Sequence, residues 1–355
     1  MKLSSRFWVI SAVLVVFAIS WAYYLSGEDS RAFERHKEKA SRGDADAVWR
    51  MAFCYNRGRG VKEDAAQATF WYQKAAELGS VKAQHLIGTY YAEGIQLAKD
   101  EVQAVFWYRK AADQGYSWAQ LSLGYCYAFG KGVPEDDAQA VEWFRKAASQ
   151  GAAPGQLALA QSYEYGTGVK IDQVQAVSLY RKAAEQGDDT GQYELANHLE
   201  KGEGVREDLV QAAVWYRKSA EQRNFVAQCA LGDFYYLGKG VPKDYVQAVY
   251  WWRESSIHGW YKAQVSLGNA YLKGEGVPKD VIEAYAYFNL AGVANADARA
   301  SLAKLEKELS TEQISTAQKR TDQLGKENAT RYESEVVAKV MTQADRETEE
   351  IVLGK

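Results

Sequence analysis

The sequence predicts an all-α protein made of stacked helical hairpins. Two observations support this: a block of 36 residues recurs seven times without insertion, and each block holds two segments with the 3.6-residue apolar period of a helix. The blocks are 43–78, 79–114, 115–150, 151–186, 187–222, 223–258 and 259–294. Positions within a block are counted from its first residue, which is position 0.

The first predicted helix of each block has apolar or small residues at positions 4, 8, 9 and 12. In the third block these are Ala119, Leu123, Gly124 and Tyr127. Position 15 is then glycine in every block: Gly58, Gly94, Gly130, Gly166, Gly202, Gly238 and Gly274. Glycine is favoured where a backbone with positive φ ends a helix, so this position predicts a turn.

The second predicted helix starts at position 21, which is always aspartate: Asp64, Asp100, Asp136, Asp172, Asp208, Asp244 and Asp280. Gln or Glu follows three residues later, which is the pattern of a capping box at a helix start. Alanine at positions 25, 32 and 33 and an aromatic pair at 28 and 29 follow. One such hairpin cannot cover its own apolar face, and the hairpins must therefore stack.

Both ends of the repeat array predict caps. The sequence predicts a charged linker with an N-terminal cap helix over residues 26–42. It predicts C-terminal cap helices over residues 295–325. Within the latter, Ser310 and Gln313 form a capping-box pattern that opens a helix expected to stop near Gly325. Residues 326–355 predict a separate, charged tail helix.

Residues 1–25 predict a membrane anchor. Lys2 and Arg6 precede an uncharged run over residues 7–25, about 28 Å long as a helix, which is close to the thickness of a bilayer core. The positive-inside rule then places the N-terminus in the cytoplasm and the repeats in a bacterial periplasm, with a single pass through the inner membrane. A cleaved signal peptide is the alternative, since residues 20–22 form a tolerable cleavage site; the product would be periplasmic or secreted.

These motifs together resemble the Sel1-like repeat family, relatives of the tetratricopeptide repeats. The third block carries the pattern nearly whole, in Ala119, Leu123-Gly124, Tyr127, Gly130-x-Gly132, Asp136 and Trp143-Phe144-x-Lys146-Ala147-Ala148. The resemblance implies a right-handed α-solenoid that scaffolds or regulates protein complexes. It also implies export, which is frequent among bacterial members.

Composition argues against several classes of function. A net charge of −3 gives no basic excess for nucleic acid. The recurring Gly-x-Gly lacks the strand, third glycine or Lys-Ser/Thr of a phosphate-binding loop, so we expect no cofactor. Four scattered histidines predict no metal site. The three cysteines, Cys54, Cys126 and Cys229, lie too many helices apart to pair, which predicts free thiols.

Positions 6, 10 and 13 of the first helices lie outside the apolar stripe and should line the concave surface. They vary where the frame repeats, as recognition positions should. The candidate partner-binding residues are Trp49, Phe53, His85, Thr89, Leu121, Tyr125, Gln161, Tyr193, Asn197, Asp233, Tyr236 and Asn269. Aromatic anchors beside polar groups suit an extended peptide or a partner helix. Alternatively, aliphatic residues at position 6 merely pack against the neighbouring block.

A second surface is a row of arginines at position 30: Arg109, Arg145, Arg181, Arg217 and Arg253, with lysines beside four of them. This row could bind anionic lipid or polymer. Glu77, Glu185 and Glu221 lie in the same kind of helix, and a solvated, self-compensated face is therefore the favoured interpretation.

The sequence thus predicts a non-catalytic, membrane-anchored scaffold that binds a protein partner through its first helices. An envelope enzyme or a binder of peptidoglycan fragments is the alternative, for which Asp233 with Glu200 is the only acidic grouping found. A secreted factor that binds host proteins is a third interpretation, and it requires a cleaved leader.

Overall fold

The computed structural model describes residues 29–293 and 295–353, with side chains up to residue 336. The predicted membrane segment, residues 7–25, lies outside them. None of the described helices combines the length and apolar character needed to cross a bilayer. The chain divides into two compact units, Met1–Ile171 and Asp172–Lys355.

Unit 1 contains eight helices in its described part. The first, α1, is described over residues 29–40. The others are α2 (Ala45–Arg57), α3 (Ala65–Glu77), α4 (Val81–Glu93), α5 (Glu101–Asp113), α6 (Ser117–Ala128), α7 (Asp137–Ser149) and α8 (Ala153–Tyr165). Phe33 of α1 is buried against Met51 and Cys54, so this helix covers the open apolar face of the first hairpin.

Unit 2 contains nine helices in its described part: α9 (Gln173–Glu185), α10 (Asp189–Lys201), α11 (Leu209–Glu221), α12 (Phe225–Leu237), α13 (Tyr245–Ile257), α14 (Tyr261–Lys273), α15 (Val281–Gly292), α16 (Ala296–Glu308) and α17 (Thr311–Leu353). The described residues hold no strand. The predicted all-α class is confirmed, and within each unit consecutive hairpins stack on one another. The handedness of the array stays a prediction.

The predicted helix starts are confirmed, but the predicted capping box is wrong in one respect. Each position-21 aspartate accepts a hydrogen bond from the backbone N–H three residues on, as Asp136 does from Gln139 at 2.9 Å. The backbone N–H of Asp136, however, is donated to the carbonyl of Tyr127, not to the glutamine side chain. Because the glycine turn folds the chain back along the first helix, the carbonyl of Tyr127 lies within hydrogen-bond distance of this N–H and accepts it in place of the glutamine side chain. Ser310 and Gln313 do form the reciprocal box.

The two helices of a hairpin approach closely where position 9 is glycine. A Cβ added at Gly268 would lie 2.7 Å from the ring of Phe288, and one added at Gly232 would lie 2.5 Å from the ring of Trp252. The aromatic residue at position 29 therefore lies directly on the backbone of the facing helix. The absence of a side chain at position 9 therefore allows the two helices to approach closely.

The turn glycine at position 17 joins consecutive hairpins. At Gly132, φ is +71°, and a Cβ would collide with the carbonyl of Glu101 at the start of the preceding second helix. Gln96 occupies this position in the second block and takes the same left-handed backbone, with φ of 60°. This conformation costs a residue with a Cβ more than it costs glycine.

Neighbouring hairpins are also joined by buried glutamines at position 5, which the sequence analysis did not single out. Gln84 donates to the carbonyl of Ala76 at 3.1 Å, and Gln120 donates to that of Ala112 at 3.2 Å. Gln150 in turn donates to the amide oxygen of Gln120 at 2.7 Å. Each of these carbonyls also accepts a backbone N–H of the turn, Ala76 from Gly79 and Ala112 from Gly115. The glutamine amide is therefore a second donor, and it joins the turn to the next hairpin.

The expectation of a helix end near Gly325, followed by a separate tail helix, is wrong: α17 continues without a break. A glycine inside a helix costs only about 0.5–1 kcal/mol relative to alanine. Contacts on both sides of the glycine offset that cost. Leu324 is buried before it, and Arg331 after it forms an ion pair with Glu254 of α13, in which Nη2 lies 2.7 and 2.8 Å from the two carboxylate oxygens.

We expect Gly268→Ala to lower the free energy of unfolding by about 1–3 kcal/mol, because the fully buried ring of Phe288 has no room to move away. Gly325→Ala is the matched control. It is helical with only Leu290 near, at 4.0 Å, and should raise stability by about 0.5–1 kcal/mol. Urea unfolding of both variants measures the difference, and effects of equal sign would contradict the close-packing account.

We expect Gln120→Leu to cost about 0.5–1.5 kcal/mol, because the carbonyl of Ala112 keeps only its bond from Gly115 and the amide of Gln150 loses its acceptor. Gln139→Leu, at an exposed position in α7, should change stability by about 0.5 kcal/mol or less. The same denaturation experiment compares them. If the two variants unfold alike, the buried glutamines do not hold the hairpins together.

Candidate functional site

The first helices present one consistent face to solvent. Positions 4, 8 and 9 are buried in every block, whereas position 10 is exposed or half-buried in every block. Positions 6, 10 and 13 together are called the first-helix face below. Because backbone and core residues repeat, this face displays a different side-chain set on each otherwise equivalent helix.

In unit 1 the face begins with an aromatic stack. The rings of Trp49 and Phe53 on α2 lie parallel, with centroids 5.9 Å apart. Lys82 lies 5.4 Å from the Trp49 ring, and the guanidinium of Arg57 lies 5.9 Å from the Phe53 ring. Both rings are half-buried, so part of each remains open to a partner.

His85 and Thr89 on α4 belong to an internal network. The Nε2 of His85 lies 3.1 Å from the hydroxyl of Ser122, and Thr89 accepts a hydrogen bond from Tyr108 at 3.2 Å. Burial lowers the pKa of His85 to about 4, so this ring is neutral at physiological pH. Because the polar groups of His85 and Thr89 already have hydrogen-bond partners, the two residues contribute to the packing of the face more than to ligand binding.

On α6 the two candidate residues differ. Leu121 is buried, as expected for an aliphatic side chain packed against a neighbour. Tyr125 is 40% exposed and rests on Phe129 and Phe144, with ring centroids 6.0 and 5.1 Å away. Gln161 on α8 is exposed. Tyr125 is therefore the most accessible aromatic anchor of the face in unit 1.

In unit 2 the face starts on α10 with Tyr193 and Asn197, both half-buried. Tyr193 packs against Tyr216, with centroids 5.8 Å apart. Glu200, one turn further, accepts a hydrogen bond from the hydroxyl of Tyr216 at 2.9 Å and pairs with Lys239 at 3.0 Å. Burial, and secondarily the charge of Glu200, raises the pKa of Tyr216 far above its usual range.

Asp233, Tyr236 and Asn269 are brought together around one hollow of about 320 Å³ in unit 2. Trp252, Ser266 and Lys273 also line it. The indole Nε1 of Trp252 donates to Oδ1 of Asp233 at 3.0 Å. Burial raises the pKa of Asp233 to about 6. This acidic hollow is a partly enclosed polar feature of the first-helix face.

The sequence analysis missed Trp252 and Lys273 as members of this hollow. A signal for Trp252 was present: position 29 is Tyr or Phe in six blocks and Trp only in the block whose position 10 is aspartate. An indole N–H reaches a carboxylate at this distance, whereas Phe144 in the same place packs on Tyr125 without a hydrogen bond. Lys273 lay outside the positions considered.

The arginine row agrees only in part with the predicted solvated, self-compensated face. Arg109, Arg145 and Arg253 are exposed, and Arg145 pairs with Glu142 of its own helix at 2.5 Å, but three of the arginines also bond tyrosines. Arg109 donates to the hydroxyl of Tyr127 at 2.5 Å, and Arg253 donates to that of Tyr271 at 2.6 Å. Arg217 bonds Tyr235 in the same way. These arginines connect a second helix to the next first helix, because tyrosine at position 12 places its hydroxyl beside the guanidinium.

The alternative interpretation as an enzyme rested on Asp233 with Glu200. In the structure Glu200 is bound by Tyr216 and Lys239, while Asp233 accepts from Trp252. Neither carboxylate has a serine, cysteine or histidine nucleophile hydrogen-bonded to it among the contacts of the described residues. Within the same residues, no three His, Cys, Asp or Glu side chains are grouped to hold a metal ion.

All three cysteines are buried free thiols, as predicted. Burial raises the pKa of Cys54 and Cys126 to about 11 and that of Cys229 to about 12. Reactive thiolates are therefore scarce in the folded chain.

The comparisons with known proteins agree with this architecture. The family model described as Sel1 repeat matches seven segments: 45–80, 81–116, 119–151, 153–188, 190–224, 226–259 and 262–292. The chain belongs to the Sel1 repeat family. Among curated proteins, no sequence matches it.

Two solved structures illustrate the similarity. A Sel1 repeat protein from Oxalobacter formigenes is 32% identical, with 80% of this chain and 85% of that chain covered and a TM-score of 0.64. The protein c5321, a protective antigen of uropathogenic Escherichia coli strains with an SLR fold, is also 32% identical. Its coverage is 86% of this chain and 82% of that chain, and its TM-score is 0.42.

We expect all three thiols to resist alkylation in the folded chain. A pKa raised from 9 to about 11 lowers the thiolate fraction about a hundredfold at a given pH below 9, and burial blocks access further. Iodoacetamide labelling at pH 8.5, followed by mass spectrometry, should be slow until urea unfolds the chain. Rapid labelling of any cysteine before unfolding, or a disulfide-linked mass, would contradict the buried placement.

Proposed function

We propose that this chain is a non-catalytic scaffold that binds a segment of a partner protein along its first-helix face. The observation that carries the proposal is the contrast on the first helices between a repeated core and a varied, solvent-open face. Sel1 repeat proteins are generally non-catalytic scaffolds, which agrees with it.

The chemistry of the face supports a peptide or helix as the bound element. In unit 1, the aromatic side chains of Trp49 and Phe53 on α2 and of Tyr125 on α6 are partly exposed to solvent. In unit 2, the face carries tyrosine, amide and carboxylate groups on α10, α12 and α14. Aromatic residues are enriched among binding hot spots, while amides and carboxylates can pair with the main chain and polar side chains of a partner.

We further propose that residues 7–25 anchor the chain in a bacterial inner membrane, with the repeats in the periplasm. The support is the uncharged run behind Lys2 and Arg6. An anchored scaffold meets its partner at the membrane surface, where confinement raises the effective concentration of both.

The test is capture from cross-linked envelopes with the full-length chain. The wild type should retain a defined partner, and the double variant Tyr125→Ala with Tyr193→Ala should retain about tenfold less, because each substitution removes an aromatic anchor of the face. A chain lacking residues 1–25 should lose capture as well, since it would not reach the envelope.

The matched control is Phe106→Ala with Tyr250→Ala. These rings are 47% and 50% exposed on second helices, one in each unit, and should not affect capture. Equal retention by the wild type and the first-helix variant would overturn the assignment of the binding face. Loss in the control alone would move the site to the second helices.

A further inference from the structure

The carboxylate of Asp233 lacks a charged partner of its own. It accepts one hydrogen bond, from Trp252, and forms no ion pair with any residue that the structure describes. Of the nearby lysines, Lys239 pairs with Glu200 at 3.0 Å, and Lys273 donates to Tyr236 at 3.1 Å and lies 3.7 Å from Glu275. Lys262 lies 5.9 Å from the ring of Trp260. Asp233 is thus a largely buried acid that lines the hollow.

The repeat frame does not require a charge at this position. Position 10 is Asn197 in the preceding block and Asn269 in the following one. An asparagine oxygen would accept the Trp252 hydrogen bond equally well and would avoid the cost of burying a carboxylate. Burying a charge that the fold does not need indicates that the charge serves binding.

The walls of the hollow complement a cation. The rings of Tyr236 and Trp252 pack against each other at an angle of 47°, with centroids 5.4 Å apart, beside the carboxylate. Ser266 and Asn269 add neutral polar groups, and the charge of Lys273, which lies 5.7 Å from the Tyr236 ring, is balanced by Glu275. An ammonium or guanidinium group gains both from a carboxylate and from nearby aromatic rings, whereas a plain aliphatic group would leave the carboxylate unpaired.

We propose that the hollow lined by Asp233, Tyr236 and Trp252 binds a lysine or arginine side chain of the partner segment. This inference rests on the proposed function, and it assigns to one point of the first-helix face the chemistry of the residue that docks there.

The binding should depend on pH. The groups facing Asp233 are Glu200 on α10, Cys229 on α12, Lys239 after α12 and Lys262 on α14. Burial raises the pKa of Asp233 to about 6. The hydrogen bond from Trp252 opposes this shift, Glu200 adds to it, and Lys239 and Lys262 oppose it. Only the ionised form attracts a cation, so affinity should be complete well above pH 6 and should fall as pH drops through 6.

The test uses the full chain and immobilised sets of short peptides that are randomised except for a central Lys, Arg, norleucine or Glu. At pH 7.5 the wild type should retain the Lys and Arg sets about tenfold better than the norleucine and Glu sets. Asp233→Asn should abolish this preference, and the preference should also vanish for the wild type at pH 5.

The control is Asp113→Asn, a change of the same kind at an exposed position of α5, which should keep the preference. Asp233→Asn should melt no earlier than the wild type, since asparagine already occupies this position in both neighbouring blocks. Retention of all sets without preference for a cation, or a preference that survives in Asp233→Asn, would overturn the cation site while the scaffold proposal stands. Retention of no set would overturn both.

Discussion

The stacking of the repeats depends on hydrogen bonds between the end of a second helix and the start of the next first helix. A buried glutamine at the start of the next first helix supplies the amide, as Gln84 does for Ala76 and Gln228 for Ala220. These carbonyls also accept a backbone N–H of their own turn, so the group that would lose its partner if the hairpins separated is the buried glutamine amide. An unpaired buried polar group costs about 1–3 kcal/mol. The bond therefore helps to set where one hairpin lies on the next, together with the arginine–tyrosine bonds.

Because stacking uses the backbone and a few repeated side chains, the first-helix face is free to vary. The sixth block departs from the repeat at several positions, both on the face and outside it. It combines Asp233 and Trp252 with two further departures: Arg223 replaces the leading glycine and takes a left-handed backbone with φ of 69°, and His258 replaces the glutamine of position 35. Glu335 of α17 lies 3.7 Å from Arg223 and 3.6 Å from His258. The block that holds Asp233 is thus also one of the blocks that α17 contacts.

The candidate site was predictable in part. Choosing positions 6, 10 and 13 required only the helical period, and it found Tyr125, Asp233 and Tyr236. The same rule also included Leu121, which is buried, and His85, whose ring is held by Ser122. Period alone cannot separate these cases, since the depth of a side chain depends on the size of its neighbours in the adjacent hairpin. Trp252 was missed because its position belongs to the apolar core stripe. It contributes to the face only through its indole N–H, which donates to Asp233.

The sequence by itself determined the number of hairpins, the helix starts at aspartate and the turns at glycine, because these follow from local backbone hydrogen bonding and conformational preference. Tertiary structure alone decided three other features. Carbonyls at position 12 accept the aspartate N–H groups in place of the expected glutamine side chains. The helix α17 continues past Gly325 because it packs against α15 and α13. Tyrosine hydroxyls accept hydrogen bonds from arginines of the preceding hairpin. Each depends on groups far apart in the chain, whose meeting no local pattern encodes.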